Sequence, residues 1–139
     1  MAIWQFDCNI IPRIDKFTRT DTLDITSWIG IVLNKKAIQY LNQILEPQKS
    51  WTKDIIQFGK DDETCIKFLK EKEEIDEISC RLDLRTLKRE DIQNILTFIN
   101  ESGGELYYLN KVYPATMAVW IELIKSLTQL NIAKIQLNF

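Results

Sequence analysis

The chain contains no histidine among its 139 residues, and only four glycines, three prolines and three cysteines. Without an imidazole there is no Ser-His-Asp or Cys-His triad, no histidine zinc ligand, and no side chain that titrates near neutral pH in its ordinary state. Glycines at 30, 59, 103 and 104 are too few and too scattered to form the phosphate loop of a Rossmann or Walker site. Cys8, Cys65 and Cys80 are odd in number and contain no Cys-x-x-Cys pair, so zinc gripping and dithiol exchange are not indicated; they read as buried small hydrophobes. No apolar run reaches the ~18–20 residues that span a bilayer, and no basic leader precedes the opening Met1-Ala2-Ile3-Trp4. These features predict a cytoplasmic chain with no membrane segment and no cofactor.

What is present is the composition of a folded domain, 45% hydrophobic and 27% charged. A net charge of −2 offers no global attraction for nucleic acid. The acids are unevenly placed. Residues 61–77 hold eight acids against three lysines, a net of −5, so the remainder of the chain is mildly basic. Such a segment suits either a solvated hairpin, whose charges discourage aggregation, or an acidic surface that docks on a basic partner. Asp61, Asp62 and Glu63 lack the spacing and central glycine of a calcium loop.

The periodicities predict an α+β single domain, with a mixed, mostly antiparallel sheet and about three helices mainly on one face. Trp4, Phe6, Cys8 and Ile10 alternate with Gln5, Asp7 and Asn9 until Pro12 stops the strand. Asn34 is placed to cap a helix through Ile38, Leu41 and Leu45, ended by Pro47. Ile55–Phe58 is a short strand, and Thr64–Leu69 with Ile75–Leu84 reads as a hairpin. Thr86 offers a cap to an amphipathic helix carrying Ile92, Ile95, Leu96 and Ile99, closed by Gly103-Gly104. A strand follows at Glu105–Leu109, then a helix from Thr116 to Leu130 that is apolar nearly all round, as if buried between sheet and neighbours. Ala133–Phe139 alternates as a last strand, whereas residues 12–34 give no assignable pattern.

If the strands at 3–11 and 77–85 are neighbours, Gln5, Asp7, Asn9, Ser79, Arg81, Asp83 and Arg85 join into one polar face, a candidate binding surface. If the acidic segment docks, Glu73, Glu74 and Glu77 supply its charge, and Trp51, if exposed beside it, supplies the aromatic anchor that charge alone lacks. Trp4 and Trp120 lie on apolar faces and read as core; for Trp28 and Trp51, in polar and irregular stretches, core and surface both stay open.

Trp4-Gln5-Phe6 before Ile10-Ile11-Pro12, Leu45-Glu46-Pro47 with Ser50-Trp51, Phe58-Gly59 before acids, and Arg81-Leu82-Asp83-Leu84-Arg85 together resemble a family of small bacterial proteins of uncharacterised role. Some of its members are similar to immunity proteins of polymorphic-toxin systems. That resemblance implies a cytoplasmic, non-enzymatic module that binds and blocks a cognate toxin domain, with no catalytic residue carried over. The alternative from the residues themselves is a small-molecule-binding or carboxylate-based catalytic domain.

Overall fold

A computed structural model describes residues 5–13, 26–49 and 54–130. Ten elements follow one another: β1 (Gln5–Pro12), α1 (Lys35–Asn42), β2 (Pro47–Gln48), β3 (Ile55–Phe58), β4 (Cys65–Glu71), β5 (Glu74–Asp83), α2 (Arg89–Glu101), β6 (Gly104–Tyr108), β7 (Lys111–Tyr113) and α3 (Met117–Leu130). The strands form a seven-stranded sheet in the order β2-β3-β4-β5-β1-β6-β7, with antiparallel pairing at each junction. The expected parallel component of the sheet is absent among the described residues, because each strand reaches its neighbour by a reversal or, for β1, by insertion between β5 and β6.

Alternation decides which way each strand faces. Phe6, Ile10, Ile66, Phe68, Ile78 and Leu82 are each 0–1% exposed and form the sheet side of the core. Ile92, Ile95, Phe98 and Ile99 of α2 meet them, with the Phe98 ring edge-on to Phe68 at 5.8 Å, while Ala37 and Leu41 of α1 join the same core. At ~1.5–3 kcal/mol for each fully buried large apolar side chain, this single layer of contacts is the main stabilising term. Helix α3 departs from its expected all-round burial. Trp120 and Ile124 are fully buried, but Met117, Val119, Ile121 and Leu123 are half-buried and Ala118, Glu122 and Lys125 exposed, because among the described residues α3 packs beside α2 through one side.

Trp28 is core. Its side chain is 0% exposed, its indole N–H donates to the Ile10 carbonyl at 2.8 Å, and its backbone N–H donates to the Asp76 carbonyl at 2.7 Å. The β1–β5 pairing ends at Ile10 opposite Ile78, and Pro12 closes β1 two residues later. Proline has no N–H with which to prolong the ladder, and beyond the last pair Trp28 donates to both strands, to the Ile10 and Asp76 carbonyls, and plugs the sheet end.

Local signals account for the helix ends and turns. The Asn34 side chain accepts from the Lys36 N–H at 2.9 Å, as its position predicts. Thr86 does not cap α2: residues 84–86 turn the chain, the N-cap is Lys88, and Asp91 reaches back to accept the Lys88 N–H at 3.2 Å. Lys72 and Glu73 (φ +50° and +70°) join β4 to β5, and Leu109 and Asn110 (φ +48° and +65°) join β6 to β7. Both are two-residue hairpin turns with two left-handed residues, whose backbone matches the twist of the strands. Neither uses glycine, which is why β7 is invisible to a search for Asn-Gly or Asp-Gly. The expected strand at 133–139, and Trp4, lie outside the described residues.

Candidate functional site

The face of the sheet away from α2 carries the polar positions of four adjacent strands. In β1 and β5, Asp7 stands opposite Arg81 and Asn9 opposite Ser79, which joins the two polar faces as the alternation predicts. Strand β4 adds Cys65, opposite Arg81, and Lys67, opposite Ser79; β6 adds Tyr107, opposite Asn9. With Leu109 and Asn110 from the β6–β7 turn they line a hollow of about 510 Å³.

A chain of charges crosses this face. The Arg81 Nε donates to Asp7 Oδ1 at 2.8 Å and its Nη1 to the Asp61 carbonyl at 2.8 Å, while Lys67 Nζ lies 2.6 Å from Asp61 Oδ1. Asp7 and Arg81 remain 38% and 36% exposed. The hydrogen bond to Lys67 holds the Asp61 carboxyl below its ordinary value, and the one to Asp7 raises Arg81. Burial pushes the Cys65 thiol up; Cys80 is raised further by its hydrogen bond with Cys8 directly across the β1–β5 ladder, and then by burial. Asp61, Arg81 and Cys65 on this face, and Cys80 in the core behind it, are therefore all displaced away from neutrality. Thiols held protonated are poor nucleophiles, and an ion pair held charged is a poor proton donor or acceptor at pH 7. The arrangement is suited to recognition.

Apolar groups rim the hollow. Leu109 is 76% exposed and Val112, opposite Tyr107 in β7, is 45% exposed. The Tyr107 hydroxyl donates to Asn110 Oδ1 at 3.3 Å, steadying the turn. A leucine in the left-handed region is costly and gains nothing from burial here. Among the described residues no group of three or more His, Cys, Asp or Glu side chains is arranged to hold a metal ion.

The residues singled out from sequence are dispersed. Arg81 sits in the hollow, and Glu77 is on the same strand near its start, with Thr26 Oγ1 3.5 Å from Glu77 Oε1. Glu73 and Glu74 are exposed at the β4–β5 turn. Asp83 corrects the expectation of a surface acid: it is 1% exposed, its Oδ1 accepts the Arg85 N–H at 3.0 Å, and both carboxylate oxygens take the Arg85 guanidinium at 3.0 and 3.1 Å. Because β5 ends at Asp83, Arg85 leaves the sheet and clamps the turn, and Thr64 Oγ1 accepts the Asp83 N–H at 2.9 Å. Trp51 lies outside the described residues.

Nor is 61–77 one acidic patch. Asp61 is neutralised by Lys67 in the middle of β4, Glu77 stands opposite Leu69 further along, and Glu71, Glu73 and Glu74 gather at the β4–β5 turn, where Lys70 pairs with Glu73. Lys67, Tyr107, Leu109 and Asn110 were missed from sequence, since only the pairing of β1 with both β5 and β6 brings them together. The signal that was available is the polar-apolar alternation of β4. No protein-family model matches the chain, and comparison with curated proteins and with solved structures likewise gives no match.

Proposed function

We propose that this protein is a non-enzymatic protein-binding module whose partner docks on the open sheet face, with an immunity-type inhibitor of a bacterial toxin domain as the favoured form. The observation that carries the reading is the exposed Leu109, held at φ +48° on the rim of a face whose charges are already paired. The hairpin turn accounts for the positive φ, as it does at Lys72, but not for a leucine exposed there. A protruding apolar side chain beside satisfied ion pairs has the anatomy of an interface, an apolar anchor with a polar surround. The inhibitor form rests on the sequence resemblance described above, and the displacement of Asp61, Arg81 and Cys65 away from neutrality supports binding over turnover.

The test is capture of partners from the native host, followed by reconstitution from purified components. The reading expects a stoichiometric complex in which the partner's toxic activity is blocked, with Leu109→Asp and Arg81→Glu each weakening binding at least tenfold. A complex indifferent to both substitutions would remove the open face as the docking surface. Turnover of a small substrate, abolished by a single carboxylate-to-amide change, would replace the module with an enzyme.

A further inference from the structure

At the other end of the sheet, residues 29–32 turn outward directly after the buried Trp28. Ile29 is 45% exposed, Ile31 40% and Val32 95%, with Gly30 (φ +86°) making the turn. The segment is held at both ends: Trp28 is anchored to Ile10 and Asp76, the Ile31 N–H donates to the Trp28 carbonyl at 3.0 Å, and Asn34 caps α1. Three branched apolar side chains are thus presented to solvent on a fixed support, the kind of exposed patch that marks an interaction site.

Opposite charges flank this patch. On the side where the chain enters, Ser27 donates to Asp76 at 3.0 Å and Thr26 lies 3.5 Å from Glu77, with Glu74 two residues before Asp76. On the side where it leaves, Lys35 and Lys36 begin α1; both are exposed and neither makes a described ion pair. A patch that is acidic on one flank and basic on the other is complementary to itself under a two-fold axis, because rotation sets the acids of one copy against the lysines of its partner. A partner of uniform charge would meet repulsion on one flank. A lipid surface with anionic headgroups would be repelled by Glu74 and Glu77.

We propose that two copies of this chain associate through Ile29, Ile31 and Val32, with Glu74 and Glu77 of one protomer facing Lys35 and Lys36 of the other. The patch is small, so the dimer belongs to the weak class of interface, with a dissociation constant on the order of 100 μM. Glu77 shares a sheet face with Arg81 but lies four residues from it along β5, the apolar contacts lie beyond the sheet end, and the test needs no other partner.

Sedimentation equilibrium from 10 μM to 1 mM protein, in low and high salt, reads the association. The wild-type chain is expected to dimerise at low salt, weaken at least threefold in 0.5 M salt, and become monomeric as Val32→Asp. The double variants Lys35→Glu/Lys36→Glu and Glu74→Lys/Glu77→Lys are each expected to be monomeric alone, and an equimolar mixture of the two is expected to associate again. Val32, Lys35, Lys36 and Glu74 are exposed and Glu77 half-buried, and matched circular dichroism and melting curves confirm that each variant folds. A wild-type chain that stays monomeric at 1 mM would overturn the proposal, as would a Val32→Asp variant that still dimerises or a mixture of charge variants that does not. Arg81→Glu should leave the association unchanged, so failure here is distinguishable from failure of the open-face reading.

Discussion

Three glycines separate the two ways in which a methyl group can harm a fold, and Gly59→Ala combines both. Gly59 follows β3 at φ +85°, and an added Cβ would lie 2.2 Å from the Thr64 carbonyl oxygen, 3.1 Å from Cys65 Cα and 3.2 Å from Thr64 C. These are backbone atoms at the root of β4, and the Gly59 N–H is committed to the Glu46 carbonyl at 2.8 Å. The left-handed backbone costs ~1–2 kcal/mol for alanine, and overpacking against backbone adds about 2–3 kcal/mol, for a total of about 3–5 kcal/mol. Gly30→Ala has the same dihedral problem (φ +86°) with nothing within 4 Å, so it should cost only ~1–2 kcal/mol. Gly104→Ala has no positive φ but meets Ile10 Cγ2 and the Ile11 oxygen at 3.2 Å and Ile99 Cγ2 at 3.3 Å, a packing cost of ~1–2 kcal/mol that rotation of the two isoleucines can relieve. Urea titrations of the three variants measure the differences directly. At roughly 3–4 °C per kcal/mol for a chain of this size, Gly59→Ala should melt ~9–20 °C below wild type and Gly30→Ala ~3–8 °C below. Equal losses for Gly59→Ala and Gly30→Ala would refute the reasoning, since the carbonyl contact would then contribute nothing.

Trp28 and Trp120 are both fully buried, but the Trp28 indole N–H is bonded to Ile10 while that of Trp120 has no hydrogen-bond partner among the described residues. Trp28→Phe should therefore be the more destabilising by ~1–2 kcal/mol in chemical denaturation, the difference expected when a buried carbonyl loses its donor. Asp83→Ala should cost ~1.5–3 kcal/mol by stripping the Arg85 fork and backbone N–H of their acceptor, whereas Arg81→Ala, which breaks a half-exposed pair, should cost under ~1 kcal/mol; thermal melts rank the two. The depressed Asp61 carboxyl stabilises the fold above the ordinary carboxylate value of 3.8 and loses that contribution as pH falls through its lower folded value. Wild type and Asp61→Asn should accordingly differ most at pH 5–7 and converge toward pH 2 in denaturation curves, by a small amount because Asp61 is exposed.

Elements with a strong period were legible before the structure. The alternation of Phe6, Cys8 and Ile10 and of Ile78, Cys80 and Leu82 assigned both the strands and their buried faces, because a side-chain period of two leaves one register that buries all the apolar groups. Ile92, Ile95, Leu96 and Ile99 marked the buried stripe of α2 for the corresponding helical reason, and Asn34 marked the start of α1 because its short side chain reaches an unpaired N–H. Two-residue strands such as β2 carry too few positions to show a period, and the turn at Leu109-Asn110 uses left-handed backbone without the glycine that would advertise it. Tertiary structure alone decided that β1 is inserted between β5 and β6, which brings Tyr107, Asp7, Arg81 and Lys67 to one face from four separate strands. It also decided that Asp83 is buried and Trp28 is core: Asp83 continues a polar alternation, but β5 ends there and the turn folds Arg85 back onto its carboxylate while Thr64 holds its N–H, and Trp28, in a polar stretch, is claimed by Ile10, whose position no local pattern encodes.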